Sequence, residues 1–311
     1  MNKKSPTVLF FGNEQIATGI SSSAITIKSL IDANYSVQAN VVHNATNNRR
    51  NKKITDNITV AEQNNVSVIV NPSNQDLLLF IQQNNPDIGV LVAYGKIIPQ
   101  NVIDMFKFGI VNIHPSLLPL HRGPTPIESV ILQNSKTTGV SVMSLSAKMD
   151  AGPIIAQKEL PLNGSESKKQ IAESLLSLGS QLLLSAIPKL IDGTLLPTKQ
   201  IESLASYDNK ISKQDGIINP QKTADGLEKE VRAYLGWPGS RLEVHGTWLT
   251  VTKASTSKIP TIKGILTLKD GQLLYGCNGG SLKIEQIKPS GKKEMSAAAF
   301  CNGYAHLLNK Q

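Results

Sequence analysis

The stretch FGIVNIHPSLLPLHRGPTPIESVILQN, residues 108–134, predicts a strand, a stiff loop and a helix in that order. Its first part, residues 108–114, is a short apolar run typical of a buried strand. Prolines then restrict the loop backbone, and residues 124–134 have the apolar spacing of a helix. The unit therefore predicts an α/β fold, with polar side chains where the strand ends.

The same alternation of strands and helices runs through the first 160 residues. Further strands are predicted at 8–11, 35–42, 66–70, 87–94 and 139–146, and further helices at 22–34, 74–85, 97–106 and 168–191. Short continuous apolar strands between helices indicate a Rossmann-like, mostly parallel sheet with helices on both faces. Ligands of such sheets bind at the carboxyl ends of the strands, so we expect the site where 108–114 ends.

The pattern changes beyond residue 191. Residues 192–210 contain Pro, Ser and Lys with weak periodicity, which predicts a linker. Residues 211–311 begin with one helix, at 223–235, and continue with short strands separated by turn signals. The sequence therefore predicts a catalytic domain in 1–191 and a small OB-like β-barrel domain in 211–311.

The composition favours a soluble cytoplasmic protein. The 311 residues are 40% hydrophobic and 18% charged, without an apolar run near the roughly 18 residues of a membrane helix. The apolar run near the N-terminus is too short for a secretory signal. Two cysteines, Cys277 and Cys301, cannot form a dense disulfide framework or, on their own, a metal site, and we expect them to be small apolar residues of the barrel.

The charge of the chain points to a polyanionic partner. The net charge is +9, and residues 211–311 alone carry 14 Lys and Arg against 8 Asp and Glu, a net charge of +6. A tight basic run, RRNKK, occupies residues 49–53. A charge run is often only a solvated face, but the concentration in the second domain favours a phosphate backbone as ligand.

Candidate catalytic groups follow two of the predicted strands. Asn112 and His114 are two apart, so they project from the same face of their strand. An amide donor beside an imidazole suits the oxyanion of an acyl transfer. Asp150 follows the strand at 139–146, in a loop where Gly152 is expected to allow unusual φ, and its carboxylate could raise the pKa of His114 or hold a water. A strand-end Asn and His can also act only as turn and capping residues.

At this point a family resemblance becomes specific. NIHPSLLPLHRGPTP, followed about 35 residues later by MDAGPIIAQ, resembles the folate-dependent formyltransferases, which move a formyl group from 10-formyltetrahydrofolate to an amine. The resemblance implies that Asn112 and His114 stabilise a tetrahedral oxyanion and that Asp150 supports His114 and the proton relay, with no metal. It also implies a folate site formed by Tyr94, Gly95, Lys96, Ile97, Ile98, Ser116, Leu117, Leu118 and Pro119.

The C-terminal part resembles one branch of that family. ISKQDGIINPQKTADGLEKEVRAYLGWPGSRLEV and IKPSGKKEMSAAAFCNGY are similar to the enzymes that act on aminoacylated tRNA. The resemblance implies a monomer that formylates the amino group of methionine on initiator tRNA, for translation initiation. It implies that Arg49, Arg50, Lys52 and Lys53 belong to an inserted basic loop that enters the acceptor arm, with Arg50 as its key arginine. The positive charge of the second domain separately makes Lys213, Lys222, Lys292 and Lys293 candidate phosphate contacts.

Two segments depart from the family pattern, and other functions share the motif. The loop around 43–57 is Asn-rich where relatives are often Pro- and Gly-rich. Residues 12–17 read GNEQIA where the family usually has G-T-P-x-F-A, in a region near the methionyl end of the substrate. A sugar-nucleotide N-formyltransferase would use the same folate, but it needs no basic run at 49–53. A hydrolase that releases formate would use water as nucleophile. An RNA-binding module with a retired catalytic domain would not need the complete Asn–His–Asp set.

Overall fold

The computed structural model describes residues 5–43, 47–48, 51–52 and 56–310, which separate into two compact units. The first unit comprises Met1–Ala17, Ser21–Ile127 and Lys136–Asn209, and the second comprises Thr18–Ile20, Glu128–Ser135 and Lys210–Gln311. Most of the predicted linker thus groups with the first unit. The domain limits expected from the sequence stay a prediction.

The elements up to residue 191 follow the expected alternation. The strands are β1 (Thr7–Gly12), β2 (Ser36–Val42), β3 (Asn47–Asn48), β4 (Asn51–Lys52), β5 (Ser67–Val70), β6 (Ile88–Val92), β7 (Ile110–His114), β8 (Thr137–Ser144) and β9 (Ile154–Pro161). The helices are α1 (Ile25–Asp32), α2 (Asp56–Gln63), α3 (Asn74–Asn84), α4 (Gln100–Ile103), α5 (Pro126–Leu132) and α6 (Lys168–Ile191).

The main sheet has the strand order β5-β2-β1-β6-β7-β8-β9. The strands from β5 to β7 are parallel, whereas β8 and β9 are antiparallel to their neighbours. The Rossmann-like, mostly parallel sheet is therefore confirmed. The order places β7 between a parallel and an antiparallel neighbour, and its carboxyl end lies at the edge expected to hold the site.

Up to residue 191, the sequence patterns missed the two-residue strands β3 and β4 and two longer elements, α2 and β9. In α2 only Asn57, Ile58 and Ala61 are buried, so the helix has almost no apolar stripe. In β9 only Ile155 is buried, because the strand lies at the edge of the sheet. Both elements depend on their neighbours more than on their own periodicity.

The long helix α6 packs closely on the sheet. Gly179 lies against Ile113 of β7 and Val140 of β8, and the Ser180 hydroxyl is 2.9 Å from the Thr26 hydroxyl on α1. A capping box formed by Ser167 and Gln170 begins the helix. By length and composition α6 could cross a membrane, but one face of it is buried in this unit, as for a core helix.

The second unit contains a sheet that curls into a half barrel, which confirms the expected C-terminal β-domain. Its elements are α7 (Ala224–Ala233), β10 (Ser240–Val244), β11 (Thr247–Ser257), β12 (Leu266–Lys269), β13 (Gln272–Cys277), β14 (Gly280–Pro289), β15 (Met295–Ser296), α8 (Ala297–Gly303) and β16 (Asn309–Lys310). The strand order is β10-β11-β14-β13-β12-β16, antiparallel except for the last pair. Cys277 is buried in its core, and Cys301 packs against that core.

Replacing Gly179 by Val tests the packing of α6 on β7. The first added carbon would lie 2.6 Å from a methyl carbon of Ile113, so strand or helix must move. We expect the free energy of unfolding to fall by about 1–3 kcal/mol, measured by urea denaturation. The matched control is Gly303→Val, because no atom lies within 4 Å of an added carbon there. Equal stability of the two variants would contradict the packing argument.

Candidate active site

The carboxyl end of β7 presents two polar side chains within an apolar strand. Asn112 and His114 are both buried, and they alternate with Ile113, which faces α6. In the described part of the chain, the Asn112 carboxamide makes no hydrogen bond to protein. It is thus available to a ligand, and the sequence-predicted pair does share one face.

The contacts of His114 assign its two ring nitrogens. Nε2 lies 3.0 Å from the backbone oxygen of His121, and Nδ1 lies 3.7 Å from Oδ1 of Asp150. A carbonyl oxygen can only accept, so Nε2 carries a hydrogen and donates it. In the neutral imidazole Nδ1 is then the basic nitrogen, and it faces the carboxylate. The structure brings His114 and Asp150 together as expected from the sequence.

Asp150 is held by contacts from two other segments. Its Oδ2 accepts a hydrogen bond of 2.8 Å from the Gly123 backbone N–H. The Gln200 side chain donates to the backbone oxygens of Asp150 and Gly152, at 2.8 and 2.7 Å. These contacts leave Oδ1 directed at the His114 ring and restrict movement of the carboxylate.

The expectation that Gly152 allows an unusual φ is wrong. The left-handed backbone of this loop is at Asp150, with φ 49°, and Gly152 is not in that region. A side chain at Gly152 would meet the Ser144 backbone oxygen at 1.8 Å. Glycine is required here by the close approach of two backbone segments rather than by φ.

The SLLP segment is fastened to the neighbouring strand β8. The Ser141 hydroxyl donates to the Ser116 backbone oxygen at 2.6 Å and accepts from the Leu118 backbone N–H at 3.1 Å. Leu117 packs over Gly139. The segment is therefore a rigid support for the loop that follows His114. Contact of Ser116, Leu117, Leu118 and Pro119 with folate stays a prediction.

Arg122 is a buried residue of the loop after β7 whose contacts the sequence motif did not indicate. Its side chain is 0% exposed. The guanidinium donates to Gln200, Glu202 and Tyr207, and it lies 5.4 Å from the centre of the Tyr207 ring. These partners all come from residues 192–210, which weak periodicity predicted to be a linker. No sequence pattern near Arg122 could therefore have indicated them.

The turn after β6 contains Tyr94, Gly95, Lys96, Ile97 and Ile98, whose contact with folate stays a prediction. Tyr94 and Ile98 are buried, whereas Gly95, Lys96 and Ile97 are exposed. Ile97 is 81% exposed, and no atom lies within 4 Å of where a side chain on Gly95 would begin. The turn thus offers open space and an unpartnered apolar side chain, suited to a flat ring.

The expected tRNA contacts divide into two groups. Arg49, Arg50 and Lys53 lie outside the described residues, and of Lys52 only the backbone, in β4, is described. Lys213, Lys292 and Lys293 are exposed in the second unit. Among the described residues, no group of three or more His, Cys, Asp or Glu is arranged to hold a metal ion.

Comparisons with known proteins show what this chain is similar to. The formyl transferase family model matches residues 15–187, and the model of the formyl transferase C-terminal domain matches residues 210–305. The methionyl-tRNA formyltransferase of Herpetosiphon aurantiacus is 38% identical over 221 residues, which are 70% of this chain and 72% of that protein. The methionyl-tRNA formyltransferase of Enterococcus faecalis is 32% identical over 288 residues, 89% of this chain and 91% of that protein.

A solved structure shares the fold. The crystal structure of HypX from Aquifex aeolicus in complex with tetrahydrofolic acid aligns with 99% of this chain at a TM-score of 0.66. The sequence identity is 17%, and this chain spans 49% of that one. At this identity the likeness supports the fold alone.

The loop after β1 contains a buried carboxyl group. The Glu14 side chain accepts hydrogen bonds from the backbone N–H groups of Thr26 and Ile27, at 2.7 and 3.0 Å, in the first turn of α1. The N-cap residue of this helix, Ala24, has no side chain that could cap it. Burial raises the pKa of Glu14 from 4.5 to about 7, against the opposing effect of the two hydrogen bonds.

The raised pKa of Glu14 predicts a pH dependence of stability. Between pH 4.5 and about 7 the folded protein binds the proton more tightly than the unfolded chain, so stability falls as the pH rises through this window. Glu14→Gln has no charge to lose. From about pH 5 to about pH 8, the free energy of unfolding of the parent protein should fall by about 2–3 kcal/mol more than that of this variant. Urea denaturation at about pH 5 and about pH 8 measures it.

The control for this prediction is Glu62→Gln, at an exposed position of α2. This variant should keep the pH dependence of the parent protein. An equal change of stability with pH in the Glu14→Gln variant and the parent would show that Glu14 does not titrate in this window.

Proposed function

The chain belongs to the methionyl-tRNA formyltransferase family, and we propose that it transfers the formyl group of 10-formyltetrahydrofolate to the amino group of methionine on initiator tRNA. The product is N-formylmethionyl-tRNA for translation initiation. The observation that carries the proposal is the Asn112 carboxamide, which has no protein hydrogen-bond partner among the described residues. It lies on the same face of β7 as His114, whose ring faces Asp150.

Asn112 and His114 act as the donors for the charge that develops in the reaction. Attack of the amine on the formyl carbon moves negative charge onto the formyl oxygen. The Asn112 amide keeps its hydrogens at every pH, and a protonated His114 donates through Nδ1. Removal of one such donor typically costs about 3–4 kcal/mol of transition-state stabilisation. Both side chains are buried, so water competes little with these hydrogen bonds.

Asp150 supports the protonated histidine and the movement of the proton. Its carboxylate lies beside Nδ1 and has the Gly123 N–H on its other oxygen, which keeps it directed at His114. The attacking amine must lose a proton, and this carboxylate can take it up directly or through a water. The new C–N bond forms first and gives the tetrahedral oxyanion. The C–N bond to the folate nitrogen then breaks as the carbonyl re-forms, and the proton taken from the amine is delivered to that released nitrogen.

The folate co-substrate supplies an activated formyl group. The exposed Ile97 and the open space beside Gly95 fit a flat heterocycle, with backbone groups of residues 94–98 along its edge. The hydrogen bonds from Ser141 keep the SLLP segment, which is also expected at the folate site, rigid. A rigid binding segment lowers the cost of ordering on binding.

The basic charge of the chain supports tRNA as the second substrate. The second unit has a net positive charge over residues 211–311, and Lys213, Lys292 and Lys293 are free to meet phosphates on its surface. The run at 49–53 is assigned to the acceptor end. We further propose that the chain acts as a monomer in the cytoplasm, without a membrane partner.

A transfer assay tests the proposed function. The purified chain is incubated with 10-formyltetrahydrofolate and either initiator or elongator Met-tRNA, and N-formylmethionine is measured. We expect formylation of the initiator alone. Folate binding without transfer to either tRNA would overturn the proposal and favour a sugar-nucleotide amine as substrate.

His114→Ala is the variant that separates catalysis from binding. Because His114 supplies a donor at the reacting oxygen, its loss should lower kcat about 100- to 10,000-fold and leave tRNA affinity intact. The matched control, His306→Ala, changes an exposed histidine of the second unit and should keep full activity. An active His114→Ala protein would contradict the assigned chemistry.

Arg50→Ala tests the role of the basic run. Loss of one contact to the acceptor end should lower kcat/KM for tRNA about 10-fold, which corresponds to about 1.4 kcal/mol, and leave folate affinity unchanged. Lys28→Ala, at an exposed position of α1, is the control and should have no effect. An equal loss of folate and tRNA affinity would refute the assignment.

A further inference from the structure

A second histidine–carboxylate pair lies next to the first. Nδ1 of His121 is 3.0 Å from Oδ2 and 3.2 Å from Oδ1 of Asp208. The side chains are 18% and 9% exposed, so the pair is largely shielded from water. A carboxylate accepts, so His121 donates from Nδ1. The sequence pattern assigns neither residue a role.

His121 joins this pair to the candidate catalytic histidine. Its backbone oxygen is the acceptor for Nε2 of His114, at 3.0 Å, and its backbone N–H donates to the Ser206 hydroxyl at 2.8 Å. The residue has a left-handed backbone, with φ 58°, which is uncommon for a residue other than glycine. Such a conformation persists when the surroundings hold it. The ring contact with Asp208 is one of the restraints that does so.

Asp208 is itself fixed by its backbone. Its N–H donates to the Arg122 backbone oxygen at 2.7 Å, and the Arg122 N–H donates to the Ser206 backbone oxygen at 2.9 Å. Residues 206–208 thus run alongside residues 121–123 as a short parallel pair. Removal of the Asp208 side chain therefore deletes the contact to the His121 ring and leaves these backbone hydrogen bonds in place.

We propose that His121 and Asp208 are positioning residues that fix the tautomer and orientation of His114. With the His121 carbonyl held against Nε2, the hydrogen of neutral His114 stays on Nε2, and Nδ1 faces Asp150 and the reacting groups. Without that restraint the carbonyl can turn away, and the hydrogen can reside on either nitrogen. The protonated ring carries a hydrogen on both nitrogens, and the same restraint then acts on its orientation, because it keeps Nε2–H on the His121 carbonyl and Nδ1–H towards Asp150 and the reacting groups. The consequence for turnover rests on the proposed function, whereas the tautomer does not.

The experiment compares Asp208→Ala with Asp208→Asn in the full chain. Alanine removes the acceptor, whereas asparagine keeps an oxygen that can accept from His121. The control is Asp225→Ala, which removes an exposed carboxylate paired with Lys229 in the second unit. Two quantities are measured: kcat and KM for each substrate, and the ¹⁵N NMR signals of His114, assigned by their absence in His114→Ala.

The expected result is a selective loss of turnover together with a change of tautomer. In Asp208→Ala, kcat should fall about 10- to 100-fold while both KM values stay nearly constant. The His114 signals should move from those of an Nε2–H ring towards a mixture of tautomers. Asp208→Asn should restore most of both properties, and Asp225→Ala should match the parent protein.

Two outcomes would overturn the inference. One is an unchanged tautomer and kcat in Asp208→Ala. The other is lower thermal stability, with kcat and KM changed together and the tautomer unchanged, which would assign Asp208 a structural role only. A tautomer change in a chain whose parent form formylates no tRNA would support the positioning role and refute the proposed function.

Discussion

The burial of the Arg122 guanidinium is the constraint on which the site depends. A cation withdrawn from water must have hydrogen-bond partners, because an uncompensated buried charge costs several kcal/mol. Arg122 finds them in Gln200, Glu202 and Tyr207, of which Glu202 is 58% exposed and reaches solvent. The segment that contains these residues is therefore held against the loop after β7.

This attachment connects the two halves of the candidate site. Gln200 accepts from Arg122 and donates to the backbone of Asp150 and Gly152. One side chain thus joins the loop after β7 to the loop after β8. Asp150 must lie beside His114 to assist it. Its position therefore depends on the contacts of Arg122 with Gln200 and Glu202, which lie more than 75 positions further along the chain.

Close packing beneath the site also makes β7 rigid. Gly179 allows α6 to approach Ile113, the residue between Asn112 and His114. Gly152 allows the Asp150 loop to approach the end of β8. Neither position tolerates a side chain, so strand, helix and loop have little freedom to move the polar groups apart. Preorganised donors of this kind need no rearrangement when charge develops.

The sequence by itself determined those features that depend on local pattern. Apolar runs predicted β1, β6 and β7, amphipathic spacing predicted α6 with the bounds that the structure has, and the spacing of Asn112 and His114 placed them on one face. Tertiary structure alone decided the rest. The helix α2 and the edge strand β9 have weak patterns because neighbours supply their stability, and the partners of Arg122 and His121 come from a segment without periodicity. A sequence pattern reports contacts within a few residues, whereas a buried charge selects its partners from the folded chain as a whole.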